Sequence, residues 1–176
     1  MESKLEYHWH AIYTKSRNEK LVAKLLSDQG VEVYLPLQKK LRQWSDRKKW
    51  VEVPYINSYV FIKTSEKEYY SILNTQGVVR YVTFGGKAAP IPDWQIEAMQ
   101  KIIASDTPIL FSSHRFRKGE KVTIESGALM GYEGEVVMDT DGKKKVAIRI
   151  GNIGVSMVVQ LDLSQVKKLK GERLDN

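Results

Sequence analysis

One segment organises the first hundred residues of the chain: Val53-Pro54-Tyr55-Ile56-Asn57-Ser58-Tyr59-Val60-Phe61-Ile62-Lys63. Its second half is a continuous run of β-branched and aromatic residues, which is typical of a strand covered on both faces. Its first half contains a proline and an Asn-Ser pair, which favour a bend where the chain enters a sheet. We therefore predict a central strand here, and we expect its surface to carry the functional site.

The residues on either side of this strand predict the rest of an α+β domain. Apolar residues repeat at helical spacing or alternate at strand spacing, and Gly30, Pro36 and Gly77 end individual elements. The predicted elements are strands at 8–14, 31–35 and 78–84, a hairpin at 39–53, and helices at 19–29, 66–75 and 93–104. This order predicts an antiparallel sheet with packed helices over residues 1–104.

The remainder of the chain has a different character. Residues 105–114 are polar and contain a proline, which predicts a linker. Residues 115–170 contain five short β-rich runs separated by glycine-bearing turns, which predicts a small five-stranded β-barrel. Residues 171–176 form a tail. The fold class is therefore α+β, with an N-terminal sheet domain and a C-terminal barrel.

Composition limits the possible functions. The 176 residues carry 28 Lys and Arg against 21 Asp and Glu, a net charge of +7 that is compatible with contact to a polyanion. The chain has no cysteine, which excludes disulfides and thiolate metal sites and fits a reducing cytoplasm. No apolar run approaches the roughly 20 residues that span a bilayer, and no secretion signal is present, so we expect a cytoplasmic monomer without membrane contact.

The sequence contains no clear catalytic or metal-binding pattern. His8 and His10 fall on one face of a predicted strand, but a metal site needs further ligands. Asp139-Thr140-Asp141-Gly142 resembles the start of a calcium loop without its later ligands, and we predict a hairpin turn there. No nucleophile-base arrangement or phosphate-binding glycine loop is found. We expect a protein that is not an enzyme and that uses no cofactor or metal.

The predicted hairpin concentrates positive charge around two tryptophans, Trp44 and Trp50. Its basic residues are Lys39, Lys40, Arg42, Arg47, Lys48 and Lys49. One interpretation is a solvated edge hairpin that lysines protect against aggregation. The other is contact with nucleic-acid phosphates, with a tryptophan stacked on an unpaired base.

Motifs in both halves resemble the NusG family of transcription elongation and antitermination factors. In the first half the similar stretches are Trp9-His10-Ala11-Ile12-Tyr13, Asn57-Ser58-Tyr59-Val60-Phe61-Ile62, Gly77-Val78-Val79-Arg80-Tyr81-Val82 and Pro90-Ile91-Pro92. In the second half they are Lys118 to Ile124, Gly127, Gly131 to Val136 and Leu161 to Val166, which are similar to the KOW module. The resemblance runs from about Tyr7 to Leu169 and implies that the barrel is SH3-like.

The resemblance implies that the N-terminal domain binds the clamp helices of the largest subunit of RNA polymerase and suppresses pausing. The apolar patch for this contact would be Tyr13, Tyr59, Phe61, Val82 and Met99. Specialised relatives touch the non-template DNA strand near Lys15, Arg17 and Lys20. In relatives the KOW barrel binds a small-subunit ribosomal protein or the termination factor Rho, here through exposed apolar positions at Leu129 and Ile153 together with Tyr132.

Two departures from the family pattern bear on the type of member. Housekeeping NusG proteins usually carry Pro-Gly where this chain has Asn57-Ser58. RfaH also departs from Pro-Gly there, which favours a specialised, operon-specific paralogue of the RfaH or UpxY kind. Where RfaH carries His-Thr-Thr to contact the polymerase β subunit, this chain has Glu68-Tyr69-Tyr70.

Two other function classes are open at this point. A ribosome-associated or RNA-binding KOW protein would bind RNA through residues 115–170 alone, but the N-terminal half argues against it. An enzyme that processes nucleic acids would show turnover that depends on a divalent metal ion.

Overall fold

A computed structural model of the chain describes residues 5–105, 107–112, 121–138, 144–150, 154–159 and 165–168. The described residues fall into two compact units. The first includes those up to Ile96 and the second those from Glu97 onward. Helix α3 (Asp93–Ala104) begins in the first unit and continues into the second. This division lies inside a helix, and the domain boundary after residue 104 stays a prediction.

The first unit contains strands and two further helices in the predicted order. They are β1 (His8–Thr14), α1 (Glu19–Asp28), β2 (Glu32–Tyr34), β3 (Leu37–Gln43), β4 (Lys48–Pro54), β5 (Tyr59–Thr64), a 3₁₀ turn (Glu66–Glu68), α2 (Tyr69–Leu73), β6 (Val78–Tyr81), β7 (Thr83–Phe84), β8 (Lys87–Ala88) and β9 (Pro90–Ile91). Strands β2, β5, β1 and β6 form an antiparallel sheet in that order, and β9 also pairs with β1. The predicted central strand is therefore interior, since β5 lies between β2 and β1.

One face of this sheet packs against α1 and α2. Ile12, Val60 and Ile62 alternate along β1 and β5 and are fully buried with Val22 and Leu26 of α1. Ile72 of α2 and Tyr81 of β6 complete the same cluster. Because strand residues alternate between faces, the opposite face carries Tyr13, Tyr59 and Phe61.

Two elements of the first unit differ from the prediction. The predicted helix at 66–75 is a 3₁₀ turn followed by the short α2, because Glu68 folds back on Ser65: its carboxylate accepts the Ser65 backbone N–H at 2.9 Å and lies 3.0 Å from Ser65 Oγ. These hydrogen bonds lower the pKa of Glu68. The predicted strand at 78–84 divides after Tyr81, because Gly85 and Gly86 turn β7 back onto β8 with φ values of 60° and 80°.

The second unit is rich in strands. Its strands are β10 (Ile109–Ser112), β11 (Lys121–Ile124), β12 (Glu133–Met138), β13 (Lys144–Ile150), β14 (Val155–Val159) and β15 (Val166–Lys168). They form one antiparallel sheet in the order β10-β14-β13-β12-β11-β15. All five strands predicted for the barrel are present, and the fold class of an N-terminal sheet with helices followed by a strand-rich C-terminal part is confirmed.

The sixth strand corrects the prediction of a linker at 105–114. Ile109 and its neighbours pair with β14, in the register Ile109↔Val159 to Ser112↔Ser156. The apolar run from Ile109 to Phe111 has high β-propensity, which outweighs the polar residues around it. Residues 106, 113 and 114 of the predicted linker and the tail at 171–176 lie outside the described residues.

The bend before β5 is held by a buried carboxylate. Ser58 has a φ of +61°, a conformation that glycine favours. Its N–H donates to Glu19 Oε1 at 2.7 Å, and its carbonyl accepts the Thr14 N–H at 2.9 Å. Since Glu19 is only 5% exposed, this bend connects the first turn of α1 with the end of β1 and the start of β5.

We predict that Ser58→Gly raises the free energy of unfolding by up to about 1 kcal/mol, because glycine removes the strain of a left-handed residue but adds entropy to the unfolded chain. Ser58→Val should lower it by about 1 to 2 kcal/mol, because β-branched residues strongly disfavour this conformation. Denaturant titration of the full chain measures both.

The matched control is Ser71→Gly in α2, where glycine should destabilise by roughly 0.5 to 1 kcal/mol. The account of the bend is wrong if the two glycine substitutions change stability in the same direction.

Candidate functional site

Two tyrosines meet on the sheet face that lies opposite α1 and α2. The register of β1 and β5 places Tyr13 directly across from Tyr59. Their hydroxyl oxygens are 2.6 Å apart, and their ring centroids are 4.6 Å apart. Both side chains are half-buried. The pair therefore presents aromatic surface and hydroxyl groups together, a combination common at protein interfaces.

The hydroxyl of Tyr59 stays protonated at neutral pH. Burial raises the pKa of Tyr59 above its ordinary value of 10.0, and the hydrogen bond with Tyr13 raises it further, while Arg80 acts in the opposite direction. Tyr59 is therefore a neutral hydrogen-bonding group rather than a source of negative charge.

Arg80 extends this arrangement to a third strand. It lies opposite Tyr13 in the pairing of β1 with β6, and its Cζ is 4.5 Å from the centroid of the Tyr13 ring. The side chain is exposed. We call the surface formed by Tyr13, Tyr59 and Arg80 the tyrosine face. Sequence reasoning did not select Arg80, because only the strand register places it over Tyr13.

The other members of the predicted apolar patch are not accessible. Phe61, Val82 and Met99 are buried, so the exposed part of the predicted patch is limited to Tyr13 and Tyr59. Phe61 lies on the same face as the two tyrosines, and its ring centroid is 6.3 Å from that of Tyr34 on β2. The half-buried Tyr34 is another residue of this face that sequence reasoning missed.

The hairpin of β3 and β4 forms a separate two-stranded sheet whose register sorts its basic residues into two groups. Lys40 pairs with Val51 and Arg42 with Lys49, so these residues share one side of the hairpin. Leu41 pairs with Trp50, and the other side also carries Lys39 and Lys48. Arg47 lies at the tip, where its carbonyl accepts the Trp44 N–H at 2.8 Å.

A groove lies between the hairpin and the turn from β1 to α1. It has a volume of about 520 Å³, and its cationic lining is Arg17, Lys20 and Arg42. Trp44 also lines it, with Lys49 Nζ 5.4 Å from the Trp44 ring centroid. The structure therefore brings together basic residues that are separated by more than twenty positions in the sequence.

The candidate basic residues near this groove differ in their surroundings, and Lys15 is not part of its lining. Lys15 is exposed, and its N–H donates to the Gly77 carbonyl at 2.8 Å. Lys20 lies 3.7 Å from the Glu52 carboxylate, which neutralises part of the charge within the groove. The most exposed tryptophan, Trp50 at 64%, lies on the other side of the hairpin.

The candidate partner-binding residues of the barrel have mixed accessibility. Leu129 is 1% exposed and so is not the exposed apolar residue that the sequence predicts, whereas its neighbour Met130 is 69% exposed. Tyr132 is half-buried and accepts a hydrogen bond from Lys101 Nζ at 3.1 Å. Ile153 lies outside the described residues.

The two histidines of β1 are in contact with other residues of the fold. His10 Nδ1 lies 3.0 Å from the His8 carbonyl, and its ring packs edge-on against Tyr81. In the part of the chain that the structure describes, no cluster of three or more His, Asp or Glu side chains is arranged to hold a metal ion. The Asp139–Gly142 segment lies outside the described residues. Among the described helices, none is long and apolar enough to cross a membrane.

Comparison with known proteins points to one family. Residues 7–100 match the family model described as transcription termination factor nusG. Proteins called transcription termination/antitermination protein NusG are 23% identical to this chain in Borreliella burgdorferi, Pseudomonas aeruginosa and Bacillus subtilis. The alignments cover 92%, 92% and 94% of this chain and 98%, 98% and 100% of those proteins.

A solved structure supports the fold. The structure titled "Domain interaction in Thermotoga maritima NusG" aligns with a TM-score of 0.51 and 22% identity, over 94% of this chain and 98% of that one. The similarity covers both units.

We predict that Tyr13→Phe and Tyr59→Phe each lower the free energy of unfolding by about 1 kcal/mol, because each removes one partner of a half-buried hydrogen bond. The double variant should lose clearly less free energy of unfolding than the two single variants lose together, because the second substitution removes a hydroxyl that has already lost its partner. A double-mutant cycle in denaturant measures the coupling, and strict additivity would contradict the observed pairing.

Proposed function

The chain belongs to the NusG family, and on this basis we propose that it is a transcription termination/antitermination factor that binds elongating RNA polymerase and suppresses pausing. The family's members are transcription factors rather than enzymes. We also propose that the protein acts in the cytoplasm, which fits a chain without cysteine.

The observation that carries the proposal is the tyrosine face. Tyr13 and Tyr59 are the partly accessible members of the apolar patch that the family resemblance implies, and their hydroxyl oxygens are 2.6 Å apart. A rigid aromatic pair loses little side-chain entropy on binding, which favours its use as an anchor. We propose that this pair contacts the clamp helices of the largest polymerase subunit.

The groove beside the hairpin supports a second contact, with the non-template DNA strand. Arg17 and Arg42 place guanidinium groups where they can bind phosphates. Trp44 lies in the same groove and is available to stack on an unpaired base, whereas Trp50 faces away from it. This arrangement favours nucleic-acid contact over a purely protective role for the basic residues of the hairpin.

Action at particular operons is part of the proposal. The Asn57-Ser58 bend departs from the Pro-Gly of housekeeping members, and the left-handed Ser58 is held by Glu19 instead of being a glycine. For the barrel we propose a small-subunit ribosomal protein or Rho as partner, bound through Met130 and Tyr132, two large and accessible side chains of the β11–β12 turn. A ribosome- or RNA-binding protein is the alternative, but the family match covers residues 7–100, which precede the barrel.

The first test is co-purification of the full chain with a stalled elongation complex. Tyr59→Ala combined with Tyr13→Ala should weaken binding by about 2 kcal/mol or more, as expected when aromatic anchors are truncated. The control is Tyr7→Ala, an exposed tyrosine ahead of β1. If the double variant binds as well as the wild-type chain and is correctly folded, the tyrosine face is not the polymerase contact.

The second test concerns the groove and uses a single-stranded DNA oligonucleotide. Arg17→Gln with Arg42→Gln should reduce the slope of log K against log salt by roughly 1.4, since each phosphate contact to a single strand contributes about 0.7. Lys24→Gln with Lys67→Gln, at two exposed lysines that do not line the groove, provides a charge-matched control and should leave the slope unchanged.

The third test compares the two tryptophans of the hairpin. Trp44→Ala should weaken oligonucleotide binding by about 1 to 3 kcal/mol, the range for loss of one stacked base, while Trp50→Ala should have little effect. If both variants lose the same amount of binding free energy, base stacking is not specific to the tryptophan in the groove.

A further inference from the structure

Arg80 is held in place by an aromatic ring. Its guanidinium carbon lies 4.5 Å from the Tyr13 ring centroid, and Tyr13 is in turn held by the hydroxyl contact with Tyr59. The three side chains come from β6, β1 and β5, three neighbouring strands of one sheet. A guanidinium stacked in this way loses less freedom when it forms further hydrogen bonds, because its orientation is already restricted.

The charge of Arg80 is not neutralised within the described part of the chain. Ion pairs there involve His8, Lys20, Lys24, Arg47, Lys63 and Lys167, but none involves Arg80. The contrast with Lys63 is informative, because Lys63 lies on the same sheet face and forms a 3.0 Å pair with Asp93. At Arg80 the donors of the guanidinium remain available to an external acceptor.

Two kinds of acceptor suit a guanidinium, a carboxylate and a phosphate. The surroundings favour the carboxylate. Arg80 adjoins a half-buried pair of aromatic rings, and Arg and Tyr are enriched in the hot spots of protein interfaces. The residues that line the basic groove do not include Arg80.

We propose that Arg80 determines specificity at the tyrosine face by binding a carboxylate of the protein partner. The partner segment would then carry an Asp or Glu beside the apolar side chains that pack on Tyr13 and Tyr59. This inference rests on the proposed polymerase contact and adds to it the chemistry of the partner's surface: an acidic group at the edge of an apolar patch.

The test compares Arg80→Glu, Arg80→Lys and Tyr59→Ala in the full chain, using a reconstituted elongation complex. Arg80→Glu should weaken binding by about tenfold or more, because it replaces attraction by repulsion at a specific contact. Arg80→Lys should weaken it by only a few fold. The control is Lys24→Glu, a charge reversal on α1, which packs on the other side of the sheet.

A carbodiimide experiment identifies the acceptor directly. Carbodiimide joins amines, but not guanidinium groups, to carboxylates that they touch. The Arg80→Lys variant should therefore gain a crosslink from position 80 to an Asp or Glu of a polymerase subunit, absent from the wild-type chain and detectable by mass spectrometry. Retained binding without that crosslink would overturn the inference.

The outcomes separate this inference from the proposed function. If Tyr59→Ala abolishes binding but Arg80→Glu does not change it, only the role of Arg80 is refuted. If folded Tyr59→Ala and Arg80→Glu both bind normally, the polymerase contact itself is refuted, and the inference with it. If Arg80→Glu weakens binding to a single-stranded oligonucleotide as much as binding to the elongation complex, the acceptor is a phosphate and the carboxylate assignment is wrong.

Discussion

A single buried carboxylate holds together the elements on which both proposed contacts depend. Glu19 accepts the N–H of Ser58 at 2.7 Å, and the Ser58 carbonyl accepts the N–H of Thr14 at 2.9 Å. The first turn of α1, the end of β1 and the start of β5 therefore meet at one point. An unpaired carboxylate at this depth would be costly, so this hydrogen bond fixes the place where β5 enters the sheet and, with it, the register of Tyr59 against Tyr13.

The two proposed binding sites both adjoin this junction. In one direction β1 and β5 carry the tyrosine face. In the other, the turn after β1 supplies Arg17 and Lys20 to the groove beside the hairpin. A factor that touches both a protein and a nucleic acid needs a constant spacing between its contacts, since loss of simultaneous engagement removes the gain from having two sites. The antiparallel pairing of β1 with β5 provides a rigid connection of that kind.

Helices and strands that depend on local sequence patterns were predictable. Features that depend on pairing between distant strands were not. Three local patterns are each sufficient to predict an element. They are the β-branched and aromatic run at 59–63, the apolar stripe along α1, and the glycines that separate the short C-terminal strands. The strand at Ile109 is not predictable from its sequence, because its short apolar run is surrounded by polar residues. It becomes a strand through its pairing with β14. Tyr13 and Tyr59 were selected through family resemblance, but Arg80 was not, because its proximity to Tyr13 depends on strand register. The burial of Leu129 likewise depends on contacts that the local sequence does not specify.

The hairpin of β3 and β4 pairs with no other strand in the described part of the chain, and this has a consequence for how such proteins diversify. It leaves the domain at Pro36 and returns at Tyr55, where the Tyr55 N–H donates to the Pro36 carbonyl at 2.9 Å. None of the residues between these two is buried or pairs with the main sheet, so an insertion or deletion there shifts no register in that sheet. The hairpin is therefore a module that can be lengthened, shortened or exchanged to alter the proposed nucleic-acid contact, while the sheet that carries the tyrosine face stays the same.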